Sequence, residues 1–235
     1  MKLGVNIDHI ATLRNARMGL EPSVLEGALV AQNAGACQIT THLREDRRHI
    51  RDEDVYVLKE KLSIPINLEM AATEEMEKIA AKLKPNSCCI VPEKRLEVTT
   101  EGGLDVVRFE EKIKKMNSNL QKKGILISLF IDADIKQVEA SYRTGAEFVE
   151  FHTGFFANAF QNGNYKKELD KLKEASAYAQ SLGIKVNAGH GLNYENVKCM
   201  HEIDGIIELN IGHSIISRAI FTGLDKAVKD MIKLI

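Results

Sequence analysis

One clause recurs along this chain and limits what it can fold into. A helical pattern closes on glycine, and a short apolar run follows at once. The clause stands at Gly35-Ala36, Gly124-Ile125, Gly145-Ala146 and Gly183-Ile184. Glycine is the usual residue just past a helix C-terminus, because it tolerates the left-handed backbone needed there. Eight strand-like segments can be read, at 3–7, 38–41, 64–69, 87–91, 125–130, 148–151, 184–187 and 206–209. Helical patterns separate them: 22–32, 52–62, one capped by Thr73, one ending near Lys123, one from Asp134 to Thr144, 166–182 and a short one at 195–200. Two more, 214–221 and 224–234, finish the chain, and a polar loop carrying Arg14 and Arg17 follows the first strand. Strict alternation of strand and helix implies a parallel sheet. Eight units in 235 residues predict a single-domain α/β (β/α)8 TIM barrel over 1–235, a fold of about 250 residues. A doubly wound open sheet is the alternative. It often carries a glycine-rich fingerprint after its first strand, and here Asn6-Ile7-Asp8-His9 stands in that place.

Composition narrows the function. The net charge is -1, so no global field draws in nucleic acid or an anionic membrane. Anion binding has to come from local arginine clusters. The cysteines Cys37, Cys88, Cys89 and Cys199 form no C-x-x-C pair, which fits reduced thiols in a cytoplasmic protein rather than a disulfide or zinc framework. The N-terminus enters a strand directly, with no charged leader and long apolar core. The longest apolar stretch, around 125–131, is far too short to span a bilayer.

The densest chemistry lies in 41–49, Thr-His-Leu-Arg-Glu-Asp-Arg-Arg-His, directly after the second strand. Arginine offers a planar fork to phosphate or carboxylate, and histidine changes charge near neutral pH. A solvated, salt-bridged loop would also have this composition. The other strand ends weigh against that reading, since barrel active sites lie at the C-terminal ends of the strands. Those ends carry Asn6, Asp8 and His9; His42 and Arg44; Glu69; Glu93 and Lys94; Asp132; Glu150 and His152; Asn187 and His190; Glu208, Asn210 and His213. Of the histidines, only His201 falls away from a strand end or the loop beyond it.

Period two puts Asn67 and Glu69 on one face of their strand, and a carboxylate there is costly unless paired or protonated. Glu150 repeats the pattern, so paired carboxyls near histidines form a proton-transfer set. For Asp132 and His152 a structural role, starting a loop or bonding a neighbouring one, is the simpler reading. After the seventh and eighth strands come Asn187-Ala188-Gly189-His190-Gly191 and Asn210-Ile211-Gly212-His213-Ser214. Those two loops are the usual phosphate site of a barrel, where backbone N–H groups open a helix.

Taken together, G-V-N-I-D-H-I-A-T-L-R-N-A-R, H-L-R-E-D-R-R-H-I, N-L-E-M-A, V-P-E-K-R with E-V-T-T-E-G-G-L-D-V, S-L-F-I-D, H-T-G, V-N-A-G-H-G-L-N-Y and E-L-N-I-G-H resemble the pyridoxine 5'-phosphate synthase family along nearly the whole chain. The resemblance implies a (β/α)8 barrel with additional helices and a homo-octamer. It also implies condensation of 3-amino-2-oxopropyl phosphate with 1-deoxy-D-xylulose 5-phosphate to pyridoxine 5'-phosphate, inorganic phosphate and water, a transferase-class step of vitamin B6 biosynthesis. No metal and no organic cofactor are implied. By motif, His42 and Glu69 are similar to the family's acid/base residues, His190 to its proton donor and Glu150 to its transition-state stabiliser. Asn6, Arg17, Gly191, Gly212 and His213 would hold the amino ketone phosphate. Asp8, His9, Arg44, His49 and Thr99 would hold the deoxyxylulose phosphate.

Two rival readings remain from the residues alone. A metal-dependent hydrolase barrel commonly shows H-x-H on its first strand, whereas Asp8 and His9 are adjacent and their side chains diverge. A pyridoxal phosphate-binding protein needs a Schiff-base lysine, for which Lys94 is the strand-end candidate.

Overall fold

Gly35, Gly124, Gly145 and Gly183 all adopt positive φ, between 76° and 107°, and each turns a helix end into the next strand. The computed structural model describes residues 1–94 and 102–235. Its strands are β1 (Lys2–Asn6), β2 (Gln38–His42), β3 (Ile66–Met70), β4 (Ser87–Ile90), β5 (Leu126–Ile131), β6 (Phe148–His152), β7 (Lys185–Gly189) and β8 (Ile206–Ile211). Each pairs in parallel with the next, and β1 pairs with β8. The result is a closed eight-stranded barrel in sequence order, which excludes the open sheet.

The surrounding helices are α1 (Asp8–Ala16), α2 (Val24–Asn33), α3 (Asp52–Lys61), α4 (Glu74–Leu83), α5 (Val106–Gln121), α6 (Ile135–Arg143), α7 (Gly154–Gln161), α8 (Lys166–Ser181), α9 (His213–Thr222) and α10 (Leu224–Ile232). Side chains cap several of them: the Ser23 hydroxyl accepts from the Glu26 N–H, and Asp134 accepts from the Lys136 and Gln137 N–H groups. Three expectations need correction. The stretch after β1, read as a polar loop, is helix α1. A further helix, α7, follows β6. The expected helix after β7 is a 3-10 turn, Asn196–Glu202. Among the described residues, no helix is long and apolar enough to cross a membrane.

The strand alternation runs opposite to the usual barrel, whose interior is dominated by bulky branched residues. Here Val5, Ile39, Leu68, Ile90, Leu129, Val149, Val186 and Leu209 are buried in the apolar core cluster, on the outward phase of their strands. The inward set is polar, and its contacts place it. The Thr40 hydroxyl on β2 donates to Asn210 Oδ1 on β8 (2.7 Å), and Asn210 Nδ2 donates to Glu150 Oε2 on β6 (2.7 Å). Side chains from strands two apart in the barrel can meet only through its interior. Glu208, expected at a strand end, is not there. β8 runs on to Ile211, and Glu208 lies opposite Lys2, at the start of β1, where Gln38 and Cys37 donate to it.

Helix α1 is tied to the loop after β2 by Arg14. Its guanidinium forms a bidentate pair with Asp54 (2.7 and 2.9 Å) and donates to the His49 carbonyl (3.1 Å). Asp54 in turn accepts from the Arg51 N–H at the start of α3 (2.8 Å). Removing one partner of a buried pair strands the other charge, so Arg14→Ala should lower the unfolding free energy by about 3 kcal/mol, read as a lower urea midpoint. A midpoint within error of the wild type would show that the clamp carries no stability.

Candidate active site at the strand C-termini

The C-terminal ends of the strands surround a cavity of about 830 Å³. Its walls include Asn6, Asp8, His9, His42, Arg44, His49, Glu69, Glu150, His190, Gly191, Gly212 and His213, so twelve of the fourteen site residues expected from the sequence converge there. Arg17 does not line it: it caps the C-terminal end of α1 and is exposed. Thr99 lies outside the described residues.

Asp8 is fastened at the first turn of α1. Its Oδ1 accepts from the His42 N–H (2.9 Å) and the Thr41 hydroxyl (3.2 Å), and its Oδ2 accepts from Asn6 Nδ2 (2.8 Å). Across the rim, His9 meets the ring of His213 edge-on at 5.1 Å. Gly212, the residue before α9, packs against Asn6. A Cβ there would come within 2.8 Å of the Asn6 Cβ and 2.9 Å of its carbonyl oxygen, so glycine alone fits. The loop after β2 divides its arginines. Arg47 is paired with Asp52 (2.8 Å) and Arg48 with Asp46 (2.6 Å); Arg44, which also pairs with Asp46 (3.4 Å), lines the cavity.

Two carboxyls stand on the cavity floor. Burial, then the neighbouring charges of Asp8 and Glu150, push Glu69 well above the usual carboxylate range. Burial pushes Glu150 up to about 8 against the lowering effect of the Asn210 hydrogen bond, with the Glu208 charge adding to the rise. Glu150 therefore favours the protonated form at neutral pH, and Glu69 is shifted in the same direction. Gly189 makes room for Glu150, because a Cβ at that position would overlap the carboxyl. His42 brings its Nδ1 to 4.0 Å from Glu69 Oε2.

On the opposite wall, His190 has a left-handed backbone (φ 75°). Thr153 holds this turn by donating its hydroxyl to the Gly189 and His190 carbonyls (2.8 and 2.6 Å). Burial, then the neighbouring His152, pushes His190 below the usual imidazole value. The two rings lie 5.0 Å apart. His152 Nδ1 sits 3.3 Å from Asp132 Oδ1, which also accepts from the Gly103 N–H (3.0 Å). His152 thus has a partner in the neighbouring strand end, and it lines the cavity beside His190. Lys94, the Schiff-base candidate, forms an ion pair with Glu45 (3.0 Å) and is absent from the cavity wall.

Among the described residues one trio, Asp8, His42 and Glu69, is close enough to hold an ion. Both oxygens of Asp8 are already hydrogen-bonded to protein donors, and His42 Nε2 is engaged with Glu93.

The raised position of Glu150 has a consequence for stability. Between about pH 4.5 and 8 the folded state holds a proton that the unfolded state has lost, so stability falls as pH rises through that window. Glu150→Gln removes the effect. Its melting temperature relative to wild type should climb from pH 5 to pH 8, with a free-energy difference of at most a few kcal/mol. A pH-independent difference would mean that Glu150 ionises normally.

Comparison with known proteins completes the site. The chain matches the family model described as "Pyridoxal phosphate biosynthesis protein PdxJ" over residues 3–235. It is 52% identical over 240 residues to a pyridoxine 5'-phosphate synthase of Aquifex aeolicus, covering 100% of this chain and 99% of the relative. It is 58% identical over 229 residues to one of Photobacterium profundum, covering 97% and 94%. The crystal structure of KGPDC from Streptococcus mutans superposes with a TM-score of 0.68 at 14% identity, covering 99% of this chain and 96% of that one; this likeness bears on the barrel fold alone. A family match over almost the whole length, with relatives above half identity, makes this chain a member of the pyridoxal phosphate biosynthesis protein PdxJ family.

Proposed function

We propose that this protein is a transferase-class enzyme that condenses 3-amino-2-oxopropyl phosphate with 1-deoxy-D-xylulose 5-phosphate, yielding pyridoxine 5'-phosphate, inorganic phosphate and water. The observation that carries the reading is the pairing of two acids with two imidazoles in one cavity: raised Glu69 and Glu150 face His42 and lowered His190. The reaction needs an amine to attack a ketone, carbons to lose and gain protons, and water and phosphate to leave. Several proton carriers working near neutral pH suit that sequence, and holding both substrates together lowers the barrier further.

In this reading His42 and Glu69 act as acid and base, His190 donates a proton to a leaving oxygen, and Glu150 stabilises charge in the transition state. Asn6, Gly191, Gly212 and His213 hold the amino ketone phosphate, and Arg17, exposed at the end of α1, takes no part in this grip. The backbone N–H groups opening α9 form a fixed, uncharged donor set that suits the phosphate kept in the product. Asp8, His9, Arg44, His49 and Thr99 hold the deoxyxylulose phosphate, with Arg44 giving a charge-assisted grip on the anion that departs. The protein works as a cytoplasmic homo-octamer. Four unpaired cysteines fit a reducing compartment. Exposed Leu13, Met18 and Leu20 at the end of α1, with Ile220 and Phe221 at the end of α9, supply apolar surface for self-association.

Incubating the protein with both substrates should release pyridoxine 5'-phosphate and phosphate in equal amounts, measured by chromatography. Formation of neither product would sink the assignment. Glu69→Gln and His190→Ala should each cut kcat by about 10² or more with smaller changes in KM; near-normal turnover in either would remove that residue from the chemistry. Exhaustive chelation should leave activity intact, and loss on chelation with recovery on adding zinc or manganese would turn the Asp8, His42 and Glu69 trio into a metal site.

A further inference from the structure

His42 has two ring nitrogens with different neighbours. Nδ1 points toward Glu69 at 4.0 Å, while Nε2 lies 2.9 Å from Glu93 Oε1. Glu93 follows β4 in the sequence Val91-Pro92-Glu93, and its side chain is 4% exposed. Val91 and Pro92 line the cavity but Glu93 does not, so it touches His42 from behind. Its second oxygen accepts from the Glu45 N–H (3.0 Å) and lies 3.9 Å from Arg44 Nη2.

Burial alone would push the Glu93 carboxyl up. The His42 and Glu45 hydrogen bonds and the Arg44 charge outweigh that and hold it below the usual value. An ionised carboxylate only accepts hydrogen bonds. The nitrogen facing it must carry the proton, and in a neutral ring the other nitrogen then holds the lone pair. Glu69, which burial shifts toward its protonated form, stands on that lone-pair side.

We propose that Glu93 is a positioning residue that fixes His42 as the Nε2–H tautomer and so presents Nδ1 to the cavity as a proton acceptor. The catalytic consequence rests on the acid/base role given to His42 above; the tautomer itself does not. A carboxylate behind an imidazole also stabilises the cation formed once the ring takes a proton, as in serine hydrolase triads. Glutamine cannot replace it. Its oxygen would take the Glu45 N–H, and its NH2 would then face Nε2 and require a lone pair there. The ring proton would move to Nδ1, on the cavity side.

The test is 15N solid-state NMR of histidine-labelled full-length protein near neutral pH, with the His42 signals assigned by their loss in His42→Gln. In the wild type, Nε2 should give the protonated shift and Nδ1 the unprotonated one. Glu93→Gln should exchange the two, and Glu93→Asp, which keeps an acceptor, should retain the wild-type pattern. A wild-type His42 protonated at Nδ1, or an unchanged pattern in Glu93→Gln, overturns the proposal. The wild-type measurement stands even if a variant fails to fold. Kinetics then separate the two claims. An exchanged tautomer with kcat lower by about 10² or more and KM little altered supports both. An exchanged tautomer with unaltered kcat upholds the positioning by Glu93 and removes His42 from proton transfer.

Discussion

Asn210 holds together the part of the molecule on which the chemistry depends. Its oxygen accepts from Thr40 and its nitrogen donates to Glu150, so one amide spans β2, β6 and β8 across the barrel interior. A buried carboxyl without partners is expensive; with one good donor and no counter-ion, it settles by keeping its proton. That is the state of Glu150. Had the inward positions been Val, Ile and Leu, as in most barrels, no acid could stand on the floor of the cavity. The polar interior is therefore the condition for the site. It is stabilised in turn by the apolar outward faces of the same strands, packed under the helices.

The rim above this floor is built in two ways. On the β7–β8 side the chain is held by backbone conformation and close packing. His190 and Gly191 are left-handed, Thr153 pins the turn, and Gly212 is pressed against Asn6. On the β2 side the rim is a charged loop stitched by Arg47–Asp52 and Arg48–Asp46 pairs and anchored through Arg14. Among the described residues Arg44 is the arginine that lines the cavity, itself paired with Asp46. Asp8 connects the two sides, because its carboxylate ties Asn6 on β1 to the backbone of His42 on β2. Moving one rim would move the other through that residue.

Much of this is legible in the sequence because it rests on local rules. Glycine after a helix and period two in a strand lead to the barrel, and twelve of the expected residues, ten of them with side chains, line one cavity. The failures have physical causes. Helix α1 escapes a reading by pattern because its charged face is folded inward: Arg14 is buried on Asp54, and a polar stretch whose charges are neutralised by distant residues looks like a loop. Helix α7 starts two residues after β6 with no side-chain cap, so nothing in Gly154-Phe155-Phe156 announces it. Glu208 reads as a strand end because β8 extends two residues past its apolar run. Glu93 is visible as a strand-end acid, but its contact with His42 arises from strands two apart, a distance that no spacing along the chain encodes.

The histidines of the cavity divide by what stands behind them. His42 and His152 are backed by Glu93 and Asp132. His9, His49 and His190 are held below the usual imidazole value, in each case with burial as the first cause. His213 and then Asp8 act on His9 in opposite senses, and Asp8 opposes the lowering at His49. Among their protein neighbours alone, these three rings therefore lean to the neutral form. In the reaction proposed above, a phosphate dianion beside His9 or His49 would reverse the balance, since an opposite charge within a few ångströms favours the protonated ring. Binding would then carry a proton into the site together with the anion. Under the proposed roles that proton would lie where it is useful: a phosphate leaving as a more protonated species is a better leaving group. A rim of imidazoles held low by burial would in that way couple substrate arrival to acid supply, which a fixed cluster of lysines could not do.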